Sequence, residues 1–312
     1  MRLHVTLQIE REAVIPLNYQ HMLSSAIYGF LGQGDADYAR FLHEEGYTPG
    51  KGIQAAGGSW QEADTRRQES DGGYPGNAEA VATSHRPAAV CLLPAASCQL
   101  PPTRRHFKLF TFSQLFPERS RMVPAPRPED AKLRLQPGPV EWWIASPVEE
   151  FLKNLATGLL SSGALRVGAA QLPIAGVETL PAPEFHSPLR FKCLSPIVAA
   201  VAEKYDGKRH TRYLRPGDEG WSERIRANLL GKYAALHGGE PDDDRLSLQF
   251  DAAYLARHRG TKTVLYKDDI TLVGAFCPFT LTGSIELMRI GWNCGLGQMN
   301  SGGFGMAEVM ER

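Results

Sequence analysis

The stretch EWWIASPVEEFLKNLATGLL, Glu141 to Leu160, changes its apolar period part-way along. Trp142 to Ala145 is a short run rich in aromatic and β-branched residues, the composition of a half-buried strand. From Val148 the apolar residues fall at Val148, Phe151, Leu152, Leu155 and Leu159, which is one stripe of a helix. Between the two, Ser146 has the chemistry of an N-cap, Pro147 that of a first helical residue and Glu149 that of the closing residue of a capping box. A strand therefore runs straight into a helix here, and the fold follows from what flanks this unit.

Upstream, FKLFTFSQLF reads as a strand, and Leu3, Val5, Leu7 and Ile9 alternate with polar residues as a first strand. Between them, PLNYQHMLSSAIYGFL places Tyr19, Met22, Leu23, Ala26, Ile27 and Phe30 on one helical stripe, with Asn18 as the expected cap. A second short helix, DADYARFLHEEG, buries Tyr38, Phe41 and Leu42 and stops at Gly46. Downstream, about Leu165 to Leu180 reads as a further strand region. The order strand, helix, strand, strand, helix, strand is ferredoxin-like. The second half repeats it. LRFKCLSPIVAAV is a strand, a helix spans about Ser222 to His237, LSLQFDAAYLARH and TLVGAFCPFTL are long strands, and a helix near Gly283 carries Ile285, Met288 and Trp292. The expected fold is α+β, with tandem ferredoxin-like (RRM-like) modules over residues 1–186 and 187–312. A Gly-, Ala-, Pro- and Ser-rich segment, residues 46–105, is expected to be a mobile insertion in the first module.

Composition sets the class. The 312 residues are 43% hydrophobic and 22% charged, and 34 Lys plus Arg balance 34 Asp plus Glu. That describes a globular chain of about two domains with no global polyelectrolyte character. Five cysteines, an odd number, do not form a disulfide framework, and Cys91 and Cys98 are wrongly spaced for an ordinary zinc site. No metal and no cofactor are expected. Strand-like alternation from the first residues leaves no room for a signal peptide, and no apolar run is long enough for a membrane span, so a cytoplasmic protein is the expectation.

Any nucleic-acid role must rest on local patches. KYDGKRHTRYLR, Lys204 to Arg215, has five basic residues and one acid, including Lys204, Lys208, Arg209 and Arg212, with two tyrosines interleaved. Arg257, Arg259, Lys262 and Lys267 are expected to decorate a turn between two strands. Such patches on a chain of zero net charge could track a phosphate backbone. The stretch GLGQMNSGGFGMAEV, Gly295 to Val309, brings Gly295, Gly297, Gly302, Gly303 and Gly305 against the last strand. Glycines at that density serve close approach of a backbone, either RNA phosphates meeting free N–H groups or the two modules packing together. On the first helix, Tyr28 and His21 are expected to lie opposite the apolar stripe, and His43 off the stripe of the second, as a candidate acid–base cluster.

The segments LNYQHMLSSAIYGFL…FLHEEG, FKLFTFS and GLGQMNSGGFGMAEV together resemble the CRISPR-associated repeat-processing endoribonucleases (the Cas six family) of the repeat-associated mysterious protein superfamily. The resemblance implies a catalytic tyrosine, histidine and lysine, which fall on Tyr28, His43 and Lys108. It further implies CRISPR repeat RNA as partner, with an effector complex or a homodimer as possible assemblies. The implied reaction is metal-independent cleavage by the ribose 2′-OH, leaving a 2′,3′-cyclic phosphate and a 5′-OH. Imidazole, with an unperturbed pKa of about 6.5, suits either proton transfer. His43 is thus expected to move a proton, Tyr28 to position or make the second transfer, and Lys108 to meet phosphate charge. His21 is expected to be non-catalytic, with RNA contact or service as a substitute base as the alternative. A non-catalytic RNA-binding subunit of an effector complex is the alternative. A nucleotide-binding enzyme is disfavoured, because the glycine stretch precedes a strand and no Gly-Lys-Ser/Thr follows.

Overall fold

A computed structural model describes residues 1–53, 106–205, 208–267 and 270–310. The first part of the chain comprises β1 (Arg2–Ile9), β2 (Ala13–Pro16), α1 (Gln20–Gly34), α2 (Ala36–Glu44), β3 (Thr111–Phe112), β4 (Phe116–Pro117), β5 (Ser120–Val123), β6 (Lys132–Leu135), β7 (Gly138–Ala145), α3 (Glu149–Ser162), β8 (Ala164–Val167) and β9 (Ala170–Leu180). The main sheet runs β3-β7-β1-β9-β8, with β4 also on β7, and β2-β6-β5 form a small separate sheet. All its pairings are antiparallel, with Leu3 opposite Ile144 and Val5 opposite Trp142. Leu3, Val5, Leu7, Ile9, Trp142 and Ile144 point to one face and are buried there with the apolar sides of α1 and α3. Those helices cross in close contact, since a Cβ at Gly158 would lie 2.0 Å from the Phe30 carbonyl oxygen.

The second part comprises β10 (Leu189–Cys193), β11 (Ala200–Tyr205), β12 (Lys208–Tyr213), α4 (Trp221–His237), β13 (Leu246–Phe250), α5 (Ala252–Leu255), β14 (Thr261–Lys267), β15 (Ile270–Ala275), β16 (Phe279–Gly283), α6 (Ile285–Cys294) and β17 (Ala307–Val309). Its sheet runs β13-β16-β10-β17. Counting only the four strands of each ferredoxin unit, both sheets have the order last, first, third, second, which is what two βαββαβ repeats produce. Hairpins β11–β12 and β14–β15 stand outside the second sheet. Arg2 joins the two parts. Its buried guanidinium lies 3.9 Å from the Trp292 ring centroid and donates to the Trp292 and Ala307 carbonyls, and burial lowers its pKa to about 9.

Several local expectations are corrected. FKLFTFSQLF is not one strand, because Leu109 takes a left-handed φ of 51° and the pairing is broken into Phe107, Thr111–Phe112 and Phe116–Pro117. LSLQFDAAYLARH leaves the sheet at Phe250, where Asp251 caps α5, and TLVGAFCPFTL splits into β15 and β16. Helix α3 starts at Glu149 with Val148 as N-cap; Ser146 Oγ accepts from the Val148 N–H and donates to the Leu109 carbonyl. Asn18 does not cap α1, which begins after Tyr19 without a side-chain cap. Residues 46–53 make contacts with the rest of the chain: Tyr47 pairs with Phe107, and the Gly50 and Ile53 N–H groups donate to the Ala234 and Leu236 carbonyls on α4. Residues 54–105 of the expected insertion lie outside the described residues.

Candidate active site

One residue joins the two helices that carry the tyrosine and the histidine. The Asp35 backbone N–H closes α1 on the Leu31 carbonyl, and its carboxylate accepts from the Tyr38 N–H as the N-cap of α2. Chain direction therefore turns within one position, and the last turn of α2 folds back beside the middle of α1. His43, exposed in that last turn, meets Tyr28 edge to face with ring centroids 5.1 Å apart. Tyr28 also packs edge-on against Phe110 at 5.9 Å and is half-buried, so the expectation that it faces away from the core is corrected. Burial raises its phenol well above the ordinary tyrosine range.

Lys108 reaches the same place from a distant part of the chain. The left-handed Leu109 directs Leu109 and Phe110 into the core, and the Lys108 ammonium donates to the His43 carbonyl at 2.7 Å. That carbonyl belongs to the C-terminal end of α2, where unpaired carbonyls carry partial negative charge. Gly46 makes the approach possible: its φ is 72°, and a Cβ there would lie 2.8 Å from the Phe107 carbonyl oxygen and 3.4 Å from Lys108 Nζ. Burial lowers the Lys108 pKa, with Glu45 opposing. Tyr28, His43 and Lys108 are thus gathered by direct contacts. His21 lies two turns earlier on α1, with Nδ1 on the Asn18 carbonyl and its ring edge-on to Tyr266 at 6.4 Å.

The glycine stretch is interior. Gly295, Gly297, Gly302, Gly303 and Gly305 are all buried. The N–H groups of Gly302, Gly303 and Gly305 donate to the carbonyls of Met299, Asn300 and Pro196. A Cβ at Gly303 would meet Phe112 at 2.5 Å, and one at Gly305 the Leu296 carbonyl oxygen at 2.0 Å. Those three amides already donate inside the protein and leave no N–H for a phosphate, and the stretch packs between the modules. Sequence reasoning missed the residues around it. Ser24 donates to the Ser301 carbonyl at 2.7 Å, Thr111 to the Phe304 carbonyl at 3.0 Å, and Tyr266 lies against Gly302 and Phe304. No sequence signal marks them, since each is an ordinary polar residue on an amphipathic element.

The basic residues separate into kinds. Lys204, Lys208 and Arg209 lie on the strands of the β11–β12 hairpin. Arg212 pairs with Asp218 at 2.9 Å and with Glu203 at 2.5 Å, so its charge is internally compensated. Arg257 and Arg259 are exposed, between α5 and β14 rather than in a turn between two strands. Lys262 is half-buried and donates to Gln114 at 2.7 Å, with its pKa lowered by burial. Among the described residues, no three His, Cys, Asp or Glu side chains come together as a metal site, and no helix is long and apolar enough to cross a membrane. Cys91 and Cys98 lie outside the described residues.

Two family models, CRISPR associated protein Cas6, C-terminal, and CRISPR-associated protein Cas6, N-terminal, match residues 180–309 and 93–178. Together they span more than two thirds of the chain, the later half of the first module and nearly all of the second. The chain belongs to the Cas6 family. CRISPR-associated endoribonuclease Cas6 1 of Methanocaldococcus jannaschii is 27% identical over 312 residues, covering 100% of this chain and 93% of that protein. CRISPR-associated endoribonuclease Cas6 of Pyrococcus furiosus is 27% identical over 168 residues, 54% of this chain and 60% of that one. A solved structure described as CRISPR associated protein Cas6 superposes with a TM-score of 0.67 at 25% identity over 100% of this chain and 99% of its own. A Cas6-related protein from Pyrococcus furiosus gives a TM-score of 0.71 at 19% identity, covering 100% and 98%. The tandem ferredoxin-like architecture is that of the Cas6 family.

Proposed function

We propose that this Cas6-family protein cleaves CRISPR precursor RNA within its repeats, without a metal, by attack of the ribose 2′-OH on the adjacent phosphorus. The 2′-oxygen forms a bond to phosphorus as the 5′-oxygen of the next nucleotide leaves, giving a 2′,3′-cyclic phosphate and a 5′-OH. One proton leaves the nucleophile and one reaches the leaving oxygen, so no co-reactant is consumed. The observation that carries this reading is the convergence of Tyr28, His43 and Lys108 at the end of α2. His43, exposed and with its ring against the edge of Tyr28, moves a proton. Tyr28 stays neutral and orients the ribose or the leaving oxygen. Lys108 places a cation where negative charge builds on the phosphorane. Arg257, Arg259 and the β11–β12 hairpin contact the RNA backbone, and the protein acts in the cytoplasm, alone, as a dimer or with an effector complex.

A labelled repeat RNA tests the reaction. Cleavage at one position should persist in EDTA and stop when the ribose upstream of the scissile phosphate is replaced by deoxyribose. His43→Ala should slow it by roughly 10²- to 10⁴-fold with little change in RNA affinity. Cleavage of the deoxy substrate, or loss of activity in EDTA, overturns the mechanism. Tight RNA binding with no cleavage by the wild-type protein favours the non-catalytic subunit instead.

A further inference from the structure

Lys232 is a lysine in the middle of α4 with 3% exposure. Its ammonium donates to three oxygens: the Gly295 carbonyl at 2.6 Å, the Asn300 Oδ1 at 2.7 Å and the Gly297 carbonyl at 3.3 Å. No carboxylate is among them. Three acceptors match the three hydrogens of an ammonium, whereas a neutral amine could donate only two. All three oxygens belong to the glycine stretch, so a single buried cation gathers a loop whose carbonyls would otherwise be unpaired in the interior. Burial lowers the lysine pKa to about 7, and Cys294, whose thiol burial pushes up to about 12, faces it.

The gathered loop is connected onward. Asn300, held by Lys232 through its oxygen, donates through Nδ2 to the Leu296 and Phe304 carbonyls. The Phe304 carbonyl also accepts from Thr111, three residues beyond Lys108. The neighbouring Ser301 carbonyl accepts from Ser24, one helical turn before Tyr28. Both arms of the candidate active site are therefore fastened to the loop that Lys232 organises.

We propose that Lys232 is a positioning residue for RNA cleavage, an internal cation that sets the glycine stretch and through it the spacing of Tyr28 and Lys108. It touches neither RNA nor the reacting atoms. The inference rests on the catalytic reading above for its kinetic test, but not for its structural one. Lys232→Met keeps the length of the side chain and removes the three donors. The kinetic test is single-turnover cleavage at saturating repeat RNA, at a temperature where the variant is folded. The cleavage rate should fall by roughly tenfold or more, as small misplacements of catalytic groups do, while RNA affinity stays within about threefold. Ser24→Ala should also lower the rate, and the double variant should lose less than the product of the two single losses. Hydrogen exchange, read without RNA, should quicken in Lys232→Met at residues 296–305 and also at 24–28 and 108–112. A folded Lys232→Met protein cleaving at the wild-type rate overturns the proposal, as does quickened exchange confined to the loop. If Lys232→Met does not fold, Ser24→Ala and Thr111→Val decide: unchanged rates in both overturn it. A wild-type protein that fails to cleave defeats the catalytic reading, while the exchange measurement still tests the coupling.

Discussion

Tyr28 keeps its proton because it is half-buried between Phe110 and the edge of His43, where a phenolate would be poorly solvated. In the proposed reaction it then acts as a neutral hydroxyl throughout the usable pH range. Tyr28→Phe should lower the cleavage rate by about tenfold or more, while the shape of the rate–pH profile up to about pH 10 stays that of the wild type. A lost limb in the Phe variant would show that Tyr28 titrates during the reaction. Gly303 makes a comparable argument about backbone. Its φ of 88° and the Phe112 ring 2.5 Å from a would-be Cβ leave no room for alanine. Gly303→Ala should cost roughly 1–3 kcal/mol of stability through left-handed strain together with crowding of the ring. The expected signature is a lower melting temperature with RNA affinity intact per folded molecule; weaker binding at an unchanged melting temperature would restore a direct RNA contact.

Asp35 holds two helices by one residue, and the His43–Tyr28 contact depends on that turn. Asp35→Ala should destabilise the protein by about 1 kcal/mol, the usual worth of an N-cap. The rate of cleavage should fall with it, since α2 carries the histidine. Unchanged cleavage at saturating RNA would show that the Tyr28 contact fixes α2 without its cap. Elements of this kind were partly legible. The periods around Leu3–Ile9, Tyr19–Phe30 and Trp142–Leu159 give the strands and helices of the first module, because one face of each is buried. The Lys108 segment reads as one strand, because apolar alternation does not reveal a single left-handed residue such as Leu109. The glycine density was visible but its use was not. Whether a loop's amides meet phosphate or protein depends on contacts such as Thr111–Phe304 and Lys232–Gly295, between residues 193 and 63 positions apart. Helix faces mark Tyr28 and His43 as candidates and the resemblance assigns their roles, while their meeting edge to face comes from the Asp35 turn.

The whole molecule is two similar units whose join includes charge-assisted hydrogen bonds and an aromatic stack. Arg2, on the first sheet, donates to backbone carbonyls of α6 and β17 and stacks on Trp292. Arg2→Met should fill most of the same volume while leaving those carbonyls without their donor. We expect a lower melting temperature and the separation of a single calorimetric transition into two, one for each unit; one undivided transition would show that the rest of the seam suffices. The pairing of Tyr47 with Phe107 acts at the same scale. Reciprocal 2.8 Å hydrogen bonds clasp the chain at two points 60 positions apart, immediately beside His43 and Lys108. Chain length between those points is thermodynamically cheap, since the entropy of closure grows only with the logarithm of the loop. The clasp is therefore a natural splice port. Cargo such as a reporter domain or a tether could be exchanged there, beside the proposed catalytic residues, with the segments that carry them still registered by the closed ends.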